Sequence, residues 1–67
     1  MTLKELRESK KLAQDDLAQL LGVRASTICR YETGKRTPSI KMVDKIARVF
    51  GISRGEAISL FLPKNVA

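Results

Sequence analysis

Residues 14–39 read QDDLAQLLGVRASTICRYETGKRTPS, and the placing of apolar, acidic, glycine and basic residues in that stretch decides the fold. Leu17, Ala18 and Leu21 fall on one face of a helix, with Leu20 flanking them, so a helix is predicted from Gln14 to Leu21. Asp15 and Asp16 suit the positive end of its dipole, and Gly22 stands where a helix closes in the left-handed backbone region. Only Val23 and Arg24 separate Gly22 from a second helical stretch, Ala25 to Thr33, which buries Ile28 and Tyr31 and ends at Gly34. Ala18 must be small where these helices cross, and Val23 and Ile28 fill the corner between them. Two short helices joined by so brief a glycine-containing turn make a helix-turn-helix, with its core at residues 14–34.

Helix signals continue on both sides. Thr2-Leu3-Lys4-Glu5 is a capping box opening a first helix that carries Leu3 and Leu6 inward and fades near Lys10 and Lys11. After the loop Lys35-Arg36-Thr37-Pro38, Ser39 can cap a fourth helix. Ile40, Val43, Ile46, Ala47 and Phe50 form its apolar stripe, and Gly51 ends it. Ser53-Arg54-Gly55-Glu56 reads as a second capping box, opening a short last helix with Ala57, Ile58 and Phe61 before Pro63. No stretch alternates as a strand does, and there is no repeat, low-complexity tract or linker. The expectation is an all-α bundle of about five short helices, one domain over residues 1–67.

Composition narrows the function. With 67 residues, 43% of them hydrophobic and Tyr31, Phe50 and Phe61 the only aromatics, the core must be mainly Leu, Ile, Val and Ala. One cysteine, Cys29, and no histidine leave no internal disulfide and no zinc site, and no cofactor is implied. Paired carboxylates, a glycine-rich phosphate loop and an activated nucleophile are all lacking, so an enzyme is not expected. The start resembles no signal peptide, and no apolar run nears the roughly 18 residues of a membrane span. The expected setting is the cytoplasm, away from membranes.

Thirteen Lys+Arg against seven Asp+Glu give a formal charge of +6, which points to an anionic partner. Arg24, Arg30, Lys35, Arg36 and Lys41 crowd into one stretch opposed only by Glu32, while Glu5, Glu8, Asp15 and Asp16 lie elsewhere.

The run from Gln14 to Ser39 resembles the Cro/phage-repressor family, also called XRE-type. A Gln opens the second helix, followed by L-A, then G-V, T-I and Y-E-x-G-K-x-x-P, and the likeness extends from about Leu3 to Ile58. The resemblance implies double-stranded DNA as the partner, with the helix Ala25–Thr33 in the major groove. Carried over by position, Ala25, Ser26 and Arg30 meet base edges. Arg30 is suited to grip guanine O6 and N7, Ala25 to touch a thymine methyl, and Ser26 to bond several edges. Gln14, Thr27, Thr33, Lys35 and Arg36 fall at phosphate-contacting positions. Arg7 and Glu32 correspond to a salt bridge that fixes the reading helix.

The family often places Ser or Thr at the N-caps of its second and third helices, where this chain has Ala13 and Arg24. Each departure costs on the order of 1 kcal/mol unless DNA phosphate supplies the acceptor, a role that suits Arg24 better than Ala13. Cys29, beside the reading face, reads as a peripheral filler.

The leading expectation is a repressor binding a palindromic operator as a weak homodimer. The alternative is a protein-interaction module, such as an antitoxin, whose main partner is a toxin or sensor protein. Met42, Val49, Leu60 and Leu62, apolar residues off the main stripes, suit either an interface or the edge of the core.

Overall fold

Among the described residues, four of the five helices are closed at their C-termini by one device, and that repetition sets the tight path of the chain. The computed structural model describes residues 2–61, with α1 (Leu3–Ser9), α2 (Gln14–Leu21), α3 (Ala25–Thr33), α4 (Ile40–Phe50) and α5 (Arg54–Ser59). After each of α1 to α4 comes a residue in the left-handed region: Lys11, Gly22, Gly34 and Gly51. The next N–H then returns to a carbonyl five residues back. Leu12 reaches Arg7 at 3.2 Å, Val23 reaches Ala18 at 2.9 Å, Lys35 reaches Arg30 at 2.9 Å and Ile52 reaches Ala47 at 3.0 Å. This is the Schellman closure, which satisfies carbonyls that a helix end would otherwise leave bare. Its usual hydrophobic follower is present in Leu12, Val23 and Ile52, all packed against the core. At the end of α3 the follower is exposed Lys35 instead.

N-terminal capping divides the helices into two groups. Thr2, Ser39 and Ser53 accept hydrogen bonds from Glu5, Met42 and Glu56 amides, opening α1, α4 and α5. Thr2 and Glu5 complete a full capping box. Ser53 and Glu56 do not, which corrects the reading of a second box: the Glu56 carboxylate accepts from the Ser53 hydroxyl at 3.2 Å instead of closing on the backbone. The helices of the central motif, α2 and α3, have no side-chain cap on their N-terminal amides.

The core gathers Leu3, Leu6, Leu17, Ala18, Leu21, Ile28, Tyr31, Ile46 and Phe50, with Val43, Ala47 and Ala57 as a smaller cluster between α4 and α5. Leu17, Leu21, Ile28 and Ile46 are fully buried, and truncating any one to alanine removes about 2–5 kcal/mol. Ile40, assigned to the α4 stripe from sequence, is 61% exposed. It occupies the first helical position, at the edge of the apolar arc centred on Val43, Ile46 and Phe50, and Pro38 is buried at that end instead. Met42, Val49 and Leu60 are half-buried against the core, so they form its edge. Leu62 and Pro63 lie outside the described residues.

Candidate nucleic-acid interface

The α2–α3 turn holds the site's geometry. Gly22 takes φ 72°, a conformation that strains any residue with a Cβ, and Val23, the next residue, packs against the core. Lys45 of α4 reaches across to the Leu21 carbonyl at 3.3 Å, placing a cation at the negative end of α2 and tying α4 to the turn. Nothing local in the sequence marks that contact, because its partners are 24 residues apart. Further along, Ile28 is fully buried and Tyr31 nearly so, the Tyr31 ring meeting Phe61 edge to face at 6.2 Å.

Burying Ile28 and Tyr31 turns the opposite side of α3 outward. Ser26 and Arg30, one turn apart, are exposed there, and Ala25 is half-buried at the helix start. Cys29 is exposed too, a turn after Ala25 and a turn before Thr33, so it shares this face. Thr27 is half-buried toward one flank.

A buried polar knot fixes the orientation of α3. Arg7 is 8% exposed, and its Nε donates to Glu32 Oε2 at 2.7 Å. Its Nη2 donates to Glu32 Oε1 at 3.3 Å, and Nη1 donates to the Leu12 carbonyl at 2.6 Å. Gln14 adds a third donor to Glu32, with Nε2 3.0 Å from Oε1. One carboxylate thus joins α1, the start of α2 and the end of α3. The hydrogen bonds that Arg7 donates to Glu32 raise its pKa above the ordinary value; burial works against this, and the charges of Glu32 and Glu8 add to it. Arg7, like any guanidinium, is charged at every working pH. Leaving either ion without its partner is therefore costly.

The sequence-predicted phosphate residues divide in two. Arg24, Lys35 and Arg36 are exposed, and no ion pair engages them among the described residues. Arg24 flanks the N-terminus of α3, while Lys35 and Arg36 leave its C-terminus. Gln14 and Thr33 are partly committed within the protein. Gln14 gives one amide hydrogen to Glu32, and the Thr33 hydroxyl donates to the Cys29 carbonyl at 2.9 Å. At Ala13, the Asp16 carboxylate accepts from the backbone N–H at 2.8 Å, which supplies half of a capping box without the missing hydroxyl.

Among the described residues no group of His, Cys, Asp and Glu could hold a metal, and no helix is long and apolar enough to cross a membrane.

A tight α2–α3 corner, an outward polar face on α3 and unpaired cations at both of its ends define a helix-turn-helix DNA-binding domain. Residues 3–56 match a family model described as helix-turn-helix, and the chain belongs to that family, in its Cro/C1 or XRE branch. It is similar to an uncharacterized HTH-type transcriptional regulator of Archaeoglobus fulgidus, 48% identical over 72% of this chain and 68% of the relative. Another uncharacterized HTH-type transcriptional regulator, from Methanocaldococcus jannaschii, is 48% identical over 75% of this chain and 76% of its own length. The cryptic phage CTXphi transcriptional repressor RstR of Vibrio cholerae is 32% identical over 85% of this chain and 51% of its own. No solved structure matches with significance. Membership of this family makes the chain a transcription regulator of the DNA-binding, helix-turn-helix kind.

Proposed function

We propose that the chain is a transcriptional repressor of the cytoplasm that reads a palindromic operator as a weak homodimer. In this reading α3 lies in the major groove. Ala25, Ser26 and Arg30 face base edges, and Arg24, Thr27, Lys35, Arg36, Gln14 and Thr33 face phosphates. The observation that carries the proposal is the outward face of α3, with Ser26 and Arg30 exposed on a helix locked by the buried Arg7–Glu32–Gln14 knot. A helix held this rigidly fixes the backbone from which Arg30 projects, so the helix itself needs no ordering when DNA binds and Arg30 can reach guanine with two hydrogen bonds. The uncapped amides of α3 suit the same ligand, since a phosphate at a helix N-terminus completes what Arg24 cannot.

Repression and two-fold symmetry are the finer parts of the proposal. The likeness to a transcriptional repressor of Vibrio cholerae supports the sign of regulation. A palindromic site demands a two-fold protein, and Ile40 supplies exposed apolar surface beside Pro38, Ile58 and Phe61.

Selecting bound sites from a pool of random duplexes tests the whole reading. Enrichment of an inverted repeat with one invariant guanine in each half-site is expected. Recovery of unenriched sequences would contradict it. Sedimentation of the chain with the selected duplex should show two copies per site, and a single bound copy would remove the homodimer.

A further inference from the structure

We propose that Lys11 is a further DNA-backbone contact, kept at the end of α1 in a conformation that lysine adopts only against a steric cost. The inference rests on the reading that α3 binds duplex DNA. Lys11 takes φ 58° and is the only non-glycine residue with positive φ among the described residues. The other three helices that close in the same way do so through Gly22, Gly34 and Gly51. The closure itself asks only for a residue that tolerates left-handed backbone, which glycine does without the clash between Cβ and the following carbonyl. At the fourth position an exposed lysine stands instead. Strain held in a well-determined frame points to a use for the side chain that holds it.

Its surroundings indicate the use. The carbonyl of Leu12, the next residue, accepts from Arg7 Nη1 at 2.6 Å, and the same guanidinium grips Glu32 at 2.7 Å. Lys11 is thereby fastened to the end of α3 from which Gly34, Lys35 and Arg36 depart. Lys10 and Lys11 are exposed cations just before Gln14, whose amide donates to the same Glu32 carboxylate at 3.0 Å, and neither is engaged in an ion pair among the described residues. Exposed cations on a segment tied through Arg7 and Gln14 to Glu32 of the reading helix fit the phosphodiester backbone flanking the bases that α3 reads.

The test compares the parent chain, Lys11→Gly and Lys11→Arg in thermal unfolding and in binding to the selected operator and to a scrambled duplex over a salt series. Lys11→Gly should melt several degrees higher, since strain is relieved. It should bind both duplexes several-fold more weakly, with the slope of log affinity against log salt reduced by about one. Lys11→Arg should bind like the parent. If Lys11→Gly binds as tightly as the parent with an unchanged slope, Lys11 does no more than close α1 and the inference is overturned. A parent chain that binds neither duplex would overturn the DNA-binding reading itself, a result distinct from a failure at Lys11.

Discussion

Removing the Glu32 carboxylate should cost the domain about 3–5 kcal/mol, the usual range when a buried ion pair loses one partner. The structure supports the upper part of that range. Glu32 receives three hydrogen bonds, and without them Arg7, 8% exposed, keeps only the Leu12 carbonyl. A chain of this length has about 3–10 kcal/mol of total stability, so Glu32→Ala should be largely unfolded or close to it in buffer. Glu32→Gln retains an acceptor for Arg7 but not the charge, and should lose about 1.5–3 kcal/mol. Replacing both partners, as in Arg7→Met with Glu32→Met, removes the unpaired charge. The double variant should then recover much of the loss, leaving the unmet Leu12 and Gln14 groups as the residual cost. Urea unfolding followed by circular dichroism measures each variant. With a slope of about 1 kcal/mol/M for so small a domain, the Glu32→Ala loss corresponds to a midpoint shift of about 3–5 M and the Glu32→Gln loss to about 1.5–3 M, which makes Glu32→Gln the practical series member. The reasoning fails if Glu32→Ala costs under about 1 kcal/mol, or if the two single effects simply add in the double variant.

Two further outcomes follow from local geometry. Ala13→Ser should add about 1 kcal/mol by supplying the acceptor that α2 lacks, completing the box half-built by Asp16; thermal unfolding would show a higher midpoint, and an unchanged one would mean the α2 amides are already satisfied. Ile40→Ser should change stability by no more than about 0.5 kcal/mol, whereas Ile46→Ala should cost about 2–5 kcal/mol; comparable losses in urea titrations would show that Ile40 is buried after all.

The bounds of α2 and α3 were legible because each is marked locally, by apolar spacing within the helix and by a glycine just past its end. Spacing alone also set Ser26 and Arg30 opposite Ile28 and Tyr31. Lys11 was not legible as a helix terminus of the same kind, since the signal for a left-handed residue is glycine and the chain uses lysine there. Ile40 was misplaced because periodicity marks a face without saying how far the neighbouring elements extend along it. The resemblance paired Arg7 with Glu32, but local pattern carries no trace of Gln14 and Leu12 in the same knot, or of Lys45 at the end of α2. Those contacts exist only once the helices are packed. The commitment of Gln14 and Thr33 to partners inside the protein is hidden for the same reason.

The central claim is that α3 reads bases while its flanks hold phosphates, and Arg30→Ala tests it most directly. Binding of this variant and the parent would be measured on the selected operator and on a scrambled duplex at several salt concentrations. The account predicts a loss of about 1–3 kcal/mol on the operator alone, relaxed preference at one guanine in each half-site, and an unchanged salt slope. Equal loss on both duplexes with the slope lowered by about one would make Arg30 a phosphate contact and contradict the proposed reading face.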